Sequence, residues 1–283
     1  MSPAYGFSAP WPGAPAAVWQ DVAMEWDPAK YGEFGDYRNR PFFDLTARVL
    51  AEAPRRVVDL GCGPGNLTAA LARRWPDAQV VGLDSSPQMI EAARGLSGAP
   101  ENLSFALADI AAWQPEPGTD VVISNAALQW VPGHLGMMAG WLAALEPGGW
   151  LAVQVPGNFG SPSHTLMRQL AESDRWRPRL AGVLRHDDVV AQPGDYLRLL
   201  LGAGCAADAW ETTYLQLLQG PHPVLDWVRG TGLRPVLAAL TAAEGEEFEA
   251  EYDRQLAQAY PADRHGTVYP FRRLFCVGQK KTG

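Results

Sequence analysis

An aspartate and three glycines stand close together in the segment VVDLGCGPG. The apolar residues around Asp59 predict a buried strand, and Gly61, Gly63 and Gly65 follow that strand in a loop. Glycine allows a tight turn and lets a ligand approach the backbone closely. The nicotinamide-binding motif GxGxxG would require a third glycine or alanine at Asn66. Because the spacing here is GxGxG, the loop need not hold a pyrophosphate, and a carboxylate and an amine could take its place.

Two further carboxylates follow predicted strands along the chain. Asp84 ends the second strand, about 20 residues beyond the loop, where an acid accepts hydrogen bonds from ribose hydroxyls. Asp109 follows the third strand, where it could accept a hydrogen bond from an adenine amino group. A glycine loop, a ribose acid and an adenine acid describe an adenosine ligand with a short polar tail. These residues therefore predict S-adenosylmethionine as the cofactor, although Asp59 could instead only cap the glycine turn.

An alternation of strands and helices must position these groups. It implies an α/β, Rossmann-like fold in which a mainly parallel, seven-stranded sheet carries helices on both faces. Ser86 and Pro87 predict a helix start, and Pro41 predicts a helix that continues to about Glu52. The predicted strands are 57–60, 79–83, 103–107, 120–124, 150–155, 206–217 and 271–277, and further helices are predicted at 67–75, 135–145 and 194–202.

Composition divides the chain into an extension and one domain. Residues 1–23 form a predicted N-terminal extension, and residues 24–283 form a single domain with helical insertions at about 157–192 and 219–268. We expect the two insertions to pack together as a lid over the carboxyl edge of the sheet, where ligands bind in open α/β folds.

The charge and the cysteines exclude several classes of protein. With 23 Lys and Arg against 31 Asp and Glu, the net charge is −8, which disfavours nucleic acid as a partner because phosphate binding needs a basic surface. No apolar run approaches the roughly 20 residues of a membrane helix, and no signal peptide is evident. Three cysteines without a CxxC motif predict a reducing, cytoplasmic location. His186, Asp187 and Asp188 lack a matching ligand, so no metal site is predicted.

Four segments in this order, DLGCGPG, LDSSPQMIEAAR, LADI and SNAALQW, resemble the class I S-adenosylmethionine-dependent methyltransferases. The resemblance covers roughly residues 24–277 and implies the class I version of the fold, with S-adenosylmethionine as cofactor. Tyr31 and Phe34 would close over the cofactor or else only pack the arm, and Arg38 would lie near the methionine carboxylate. The cofactor-binding residues that the resemblance implies are Tyr31, Phe34, Arg38, Asp59, Gly61, Gly63, Asp84, Ser85, Met89, Asp109, Ile110, Asn125 and Ala127.

Further segments, most of them outside this common core, resemble the methyltransferases that act on trans-aconitate. They are WDPAKYGEFGDYRNRP, SNAALQWVPGH, TGLRP and FRRLF. This resemblance implies transfer of the methyl group to a carboxylate of an unsaturated tricarboxylic acid, giving a monomethyl ester. The expected partner is therefore a small-molecule carboxylic acid, and the oligomeric state stays open.

Such an acceptor carries about three negative charges at neutral pH and needs several arginines or equivalent donors. In the strand FRRLF, Arg272 and Arg273 must point to opposite faces, and we expect Arg273 to face the pocket. Arg234 ranks second and Arg40 third, although each arginine could instead lie at the surface. The predicted substrate-binding residues are Arg40, Gln129, Trp130, Gln154, His164, Arg234, Tyr269 and Arg273.

The predicted reaction requires the protein to align the reacting atoms, and it needs no acid–base catalyst. An ionised carboxylate is already a nucleophile, so the protein must align the reacting atoms and exclude water. Gln129 and Trp130 are predicted to position the acceptor, although Trp130 could be a core residue. The alternatives are a methyltransferase for another acidic, hydroxyl or amine acceptor, a non-catalytic protein that binds S-adenosylmethionine, and a nicotinamide oxidoreductase, which the missing third glycine disfavours.

Overall fold

A computed structural model describes residues 39–184, 190–229 and 232–282. The predicted extension, residues 1–23, lies outside this part of the chain. Eight strands occur in it. They are β1 (Arg56–Leu60), β2 (Gln79–Asp84), β3 (Leu103–Leu107), β4 (Val121–Asn125), β5 (Trp150–Pro156), β6 (Cys205–Leu218), β7 (Ala262–Asp263) and β8 (Gly266–Lys280).

Ten α-helices connect or flank these strands within the same residues. They are α1 (Arg40–Thr46), α2 (Asn66–Arg74), α3 (Pro87–Arg94), α4 (His134–Ala144), α5 (Pro162–Ala171), α6 (Arg177–Leu180), α7 (Pro193–Gly202), α8 (Pro223–Arg229), α9 (Arg234–Ala239) and α10 (Ala242–Ala259). Short 3₁₀ turns lie at Ile110–Ala112 and Leu128–Trp130.

Seven strands form one continuous sheet in the order β3-β2-β1-β4-β5-β8-β6, and β7 pairs with β8. The pairings from β3 through β5 are parallel, whereas β8 runs antiparallel to both β5 and β6. The mainly parallel, seven-stranded, Rossmann-like fold is confirmed. Its carboxyl edge, where β1, β2, β4 and β5 end, is the edge at which ligands bind in this class.

Two hydrophobic cores lie on opposite faces of the sheet, because successive side chains in a strand alternate. One core joins Val58 and Leu60 of β1 to α4 and α7. The other joins Val57 of β1, Ile123 of β4 and Phe275 of β8 to α1 and α2, and we call its side of the sheet the α1 face. Helices therefore cover both faces, as the sequence pattern predicts.

A third core belongs to the helical insertions. Side chains of α5, α6, α8 and α10 bury one another and also bury Tyr269 and Phe271 at the start of β8. Helices of the two insertions thus pack against one another. Those of the second insertion end at Ala259, and the chain is in β7 and β8 before residue 268.

Local signals explain several element ends. The Ser86 hydroxyl accepts a hydrogen bond from the Met89 N–H at 3.3 Å, and Pro87 fills the first turn of α3, as predicted. In contrast, α1 ends at Thr46 and not near Glu52. The Arg74 guanidinium donates to the carbonyls of Thr46 and Val49, at 2.5 and 2.6 Å, and this side chain holds the backbone just where the predicted helix would continue.

Candidate active site

The glycine loop after β1 is shaped by close packing as well as by backbone conformation. Gly61 has a φ of 80°, and a Cβ atom there would lie 2.3 Å from the Cβ atom of Ala127. Gly63 also has a positive φ, of 56°, but a Cβ there would meet nothing within 4 Å. Gly61 therefore packs against the segment after β4, while Gly63 has open space where a side chain would lie.

Asp84 fixes this loop from the end of β2. One carboxylate oxygen accepts the Gly63 N–H at 2.9 Å, and the other accepts the Ser86 N–H at 2.9 Å. The same carboxylate thus ties the glycine loop to the start of α3. Its remaining lone pairs suit ribose hydroxyls. The neighbouring Ser85 is exposed and Met89 is 42% exposed, both at this edge.

Asp59 is buried beneath the loop and does not cap it. Its carboxylate accepts a hydrogen bond of 2.7 Å from the hydroxyl of Thr68, in α2. Burial raises the pKa of Asp59 to about 6, the Thr68 hydrogen bond opposes that rise, and the charge of Asp84 adds to it. A buried carboxylate near a second one suits a positively charged ligand group. Cys62, beside them, has its thiol pKa raised by burial, so it is a packed residue and not a nucleophile.

The third predicted acid is less enclosed. Asp109 is exposed, and its carboxylate accepts the Ala111 N–H at 2.9 Å, which begins a 3₁₀ turn. Ile110 is buried, and its side chain lies within 3.6 Å of the position that a Gly61 Cβ would occupy. The three carboxylates of the sequence prediction thus lie at or just beyond the carboxyl ends of β1, β2 and β3, at one edge of the sheet.

The chain turns sharply after β4. Ala126 has a φ of 55°, which is unusual for a residue with a side chain, and such strain tends to occur at functional sites. The Gln129 amide donates to the Ala126 carbonyl at 2.5 Å, and the Ala126 N–H donates to the Gln154 carbonyl at 2.9 Å. Trp130 is 52% exposed and therefore does not belong to the core.

Three polar side chains lie in a row on the α1 face, on the adjacent strands β4, β5 and β8. Asn125 pairs with Gln154 across β4 and β5, and Pro156 pairs with Arg273 across β5 and β8. Strand alternation puts Asn125 on the side of Ile123, Gln154 on the side of Ala152 and Arg273 on the side of Phe275, all within the α1 face. The three side chains therefore follow one another along the carboxyl edge.

Each of these side chains has buried polar atoms without a hydrogen-bond partner. They are the Asn125 Oδ1, the Arg273 Nε and both amide atoms of Gln154, a residue that is 0% exposed. Each unsatisfied buried group costs about 1–3 kcal/mol. A polar ligand that reached this row would satisfy them.

Arg273 is the most unusual member of the row. It is buried, its guanidinium carbon lies 4.3 Å from the centre of the Phe271 ring, and burial lowers its pKa to about 10. No carboxylate among the described residues pairs with it. Arg272 points to the opposite face, where it pairs with Glu211 and donates to the Gly157 carbonyl. The two arginines lie on opposite faces, as the strand pattern requires.

Comparisons with known proteins agree with this geometry. The family model described as "Methyltransferase domain" matches residues 57–149. The trans-aconitate 2-methyltransferase of Streptomyces avermitilis is 56% identical over 272 residues, which is 94% of this chain and 99% of that protein. That of Rhodococcus jostii is 54% identical over 256 residues, covering 90% of this chain and 99% of that protein. The chain belongs to the trans-aconitate 2-methyltransferase family.

Solved structures support the fold alone, since their sequences are distant. The YcgJ protein of Bacillus subtilis has a TM-score of 0.54 and 15% identity, with 86% of this chain and 100% of that chain covered. A phosphoethanolamine N-methyltransferase of Haemonchus contortus in complex with S-adenosylhomocysteine has a TM-score of 0.50 and 14% identity, covering 86% of this chain and 53% of that chain.

The family fixes the cofactor class. The chain is a class I S-adenosylmethionine-dependent methyltransferase, and the carboxyl edge has groups that suit this cofactor. Asp59 and Asp84 place two carboxylates there, and a Cβ atom at Gly63 would meet nothing within 4 Å. The further predicted cofactor residues Tyr31, Phe34 and Arg38 lie outside the described residues, as do His186, Asp187 and Asp188.

The remaining residues that the family resemblance suggested differ in their surroundings. Arg40 is exposed, lies 3.7 Å from Asp44 and stacks over Tyr214. Arg234 is exposed at the start of α9. The Tyr269 hydroxyl is buried against the Ser163 hydroxyl at 3.1 Å. Arg40 and Arg234 are thus exposed, whereas Tyr269 is buried and supports α5.

A hydrogen-bond network around Ser163 escaped the sequence analysis. The Ser163 N–H donates to the Tyr260 hydroxyl at 3.0 Å, and the Tyr252 hydroxyl donates to the Ser163 carbonyl at 2.5 Å. The His164 Nδ1 lies 3.2 Å from the Ser163 hydroxyl, and burial lowers the His164 pKa to about 4. The imidazole is therefore neutral at physiological pH. No local pattern identifies this network, because its members lie about 100 residues apart.

Thr68 was also missed, although its position could have been noticed. It falls nine residues after Asp59, on the buried side of α2. A threonine in a helix that packs on the strand of a buried aspartate is a natural partner for that aspartate. In the described residues, no group of three metal-binding side chains occurs.

Proposed function

We propose that this protein transfers the methyl group of S-adenosylmethionine to a carboxylate oxygen of trans-aconitate, giving a monomethyl ester and S-adenosylhomocysteine. The names of relatives that are 52–56% identical over at least 90% of this chain support this acceptor. A small carboxylic acid is also what the carboxyl edge is suited to bind.

One observation carries the proposal. Arg273 is a buried cation at the carboxyl edge, and no carboxylate of the described residues neutralises it. A buried unpaired charge is costly, whereas an arginine with a carboxylate ligand forms strong charge-assisted hydrogen bonds. An acidic acceptor would supply the missing partner, and a neutral or cationic acceptor would not.

The residues at the edge explain how the reaction could proceed without acid–base catalysis. When bound, S-adenosylmethionine supplies a methyl group that is already activated by positively charged sulfur. Asp59 and Asp84 would hold the cofactor, while Gln154 and Arg273 would hold the acceptor on the neighbouring strands. The acceptor carboxylates are ionised at neutral pH, so no proton has to be removed. The low pKa of His164 and its contact with Ser163 argue against a role as general base.

The test is methyl transfer from labelled S-adenosylmethionine to trans-aconitate, with cis-aconitate, citrate and isocitrate assayed in parallel. We expect label that base releases from trans-aconitate, because esters hydrolyse in base. Transfer to a hydroxyl or amine acceptor would leave base-stable label and would contradict the proposal. A pH–rate profile adds a second test, since a required base would produce an ionisation near pH 6–7.

A cytoplasmic location belongs to the same proposal. The three cysteines are free and buried, which supports a reducing compartment. In the described residues, no helix has the length and apolar character that crossing a membrane requires.

A further inference from the structure

We propose that Gln154 and Arg273 bind different carboxylates of the acceptor. Gln154 orients the carboxylate that becomes methylated, and Arg273 binds a carboxylate that does not react. This assignment rests on the proposed acid acceptor and adds a division of roles within its site.

The order of the strands separates the two side chains. Asn125, on β4, is two residues before Ala127, which packs against Gly61 of the cofactor loop. Gln154 lies one strand farther from the loop, and Arg273 lies two strands farther. Neighbouring strands are about 4.8 Å apart, so Arg273 is roughly 10 Å from β4 in the plane of the sheet. Gln154 is therefore the nearer group to the reacting methyl carbon.

The distance between Gln154 and Arg273 suits two carboxylates of one small molecule. Gln154 pairs directly with Phe275, and Arg273 is two residues from Phe275 on the same face. Such diagonal neighbours in antiparallel strands have Cα atoms about 7–8 Å apart. An acid with carboxylates on successive carbons can contact an amide at one end and a guanidinium at the other.

The charge changes of the reaction favour the same assignment. An O–CH3 bond forms as the CH3–S bond breaks, the electron pair of that bond goes to sulfur, and no proton moves. The reacting carboxylate therefore loses its negative charge on the way to the ester. An arginine on that carboxylate would stabilise the ground state more than the transition state and would slow the reaction.

A neutral amide avoids that penalty. The Gln154 Nε2 can donate a hydrogen bond that orients the attacking oxygen without a formal charge, and it is buried without another partner. A carboxylate that does not react keeps its charge throughout, so Arg273 binds it equally well in both states. Arg273 should thus control acceptor affinity, and Gln154 should control the rate of the bound complex.

The experiment compares Arg273→Met, Gln154→Leu and the control Arg272→Met in the full-length protein. We expect Arg273→Met to raise the KM for trans-aconitate about tenfold to a hundredfold, the range for losing a hydrogen bond to a charged group, with kcat nearly unchanged. Gln154→Leu should lower kcat about tenfold or more with a smaller change in KM. Arg272→Met should change neither, because Arg272 lies on the opposite face beside Glu211.

A second acceptor separates the two roles again. Crotonate keeps one carboxylate on a carbon–carbon double bond and lacks the others, so its kcat/KM should be insensitive to Arg273→Met and still fall with Gln154→Leu. A loss of kcat in Arg273→Met at saturating trans-aconitate, or equal losses on both acceptors, would overturn the assignment.

Binding measurements distinguish failure of the inference from failure of the proposed function. Calorimetry of trans-aconitate with the protein saturated by S-adenosylhomocysteine should show a weaker Kd for Arg273→Met and a nearly unchanged one for Gln154→Leu. If the wild type binds trans-aconitate but transfers no methyl group, the proposed function fails while this comparison still tests Arg273. Absence of binding by the wild type would overturn both.

Discussion

The two halves of the carboxyl edge treat their polar groups differently. On the cofactor side, Asp84 bonds to Gly63 and Ser86, and Asp59 bonds to Thr68, so the protein itself supplies the partners. On the proposed acceptor side, Gln154 and Arg273 keep buried polar atoms without partners. The first half is organised by the protein's own hydrogen bonds, whereas we propose that the second is completed by its ligand. Substitutions on the first side should therefore cost stability, and those on the second should cost mainly activity.

The largest effect should come from Gly61→Ala. The added methyl group would lie 2.3 Å from the Cβ of Ala127, at a φ of 80°, and overpacking with left-handed strain together cost about 2–5 kcal/mol. We expect the free energy of unfolding in urea to fall by that amount and cofactor binding to be lost.

Gly63→Ala is the matched control for stability, since its Cβ would have no neighbour within 4 Å. Its free energy of unfolding should fall only by the cost of the left-handed backbone conformation, about 1–2 kcal/mol. Equal losses in the two variants would show that tight packing of the loop against Ala127 is unimportant.

Asp84→Ala should weaken the binding of S-adenosylhomocysteine at least about tenfold, because two backbone groups lose a charged acceptor and the loop loses its anchor. Calorimetry should detect this loss, with a much smaller change in the KM for the acceptor. Asp84→Asn keeps an acceptor oxygen and should be milder. The cofactor assignment would be wrong if both ligands lost affinity equally.

Thr68→Val should destabilise the protein in a pH-dependent way. The pKa of Asp59 is raised to about 6 in the folded protein, above its unfolded value of about 4, so the folded state binds the additional proton between these values. The buried charge of Asp59 therefore makes the protein less stable as pH rises through 4 to 6. Above pH 6 the Thr68 hydroxyl stabilises an ionised carboxylate, and its loss should cost about 1.5–3 kcal/mol.

Urea unfolding of the wild type and Thr68→Val at pH 7.5 and pH 5 checks this prediction. The difference between the two proteins should shrink at pH 5, where folded Asp59 is mostly protonated. A difference that is the same at both pH values would mean that Thr68 acts through packing and not through the charge of Asp59.

The smallest expected effect is a gain in thermal stability. Gln154→Leu replaces a buried amide that has no hydrogen bonds with an apolar group of similar size, and removing unsatisfied polar atoms can be neutral or stabilising. We expect the Tm to stay constant or to rise by roughly 2–4 °C per kcal/mol gained, while methyl transfer falls. A marked drop in Tm would assign Gln154 to the folding of the core and remove it from the acceptor site.

The groups of the predicted cofactor side could be recognised from the sequence because they lie close together in the chain. Asp59 and the glycines lie within one short segment, and Asp84 ends the following strand. The periodicity of the strands and the conformational freedom of glycine are therefore enough to bring these residues together in a sequence-based prediction. The fold class followed from the same alternation of strands and helices. For the acceptor side, strand alternation separated Arg272 from Arg273, but only the pairing of β8 with β5 brings Arg273 beside Gln154.

What the sequence could not predict depends on distant contacts. The helix at Pro41 stops early because the guanidinium of Arg74, in α2, donates hydrogen bonds to the carbonyls of Thr46 and Val49. The early start of β8 depends on pairing with β6 through Thr267, in a stretch that also contains Pro270. The hydrogen bonds at Ser163 join α5 to α10 and β8, and no pattern within a short window reveals them.

The position of β8 in the sheet determines the order in which the two halves of the carboxyl edge form during synthesis. β8 follows the other strands in chain order, yet it lies inside the sheet, between β5 and β6. The parallel strands that carry Asp59 and Asp84 can pair once β5 has left the ribosome, because their contacts are comparatively local. Arg273 joins them only after more than 100 further residues have been translated. A nascent chain could therefore recognise the adenosine cofactor well before it can hold an acid, and methyl transfer would begin only when the late strand is inserted.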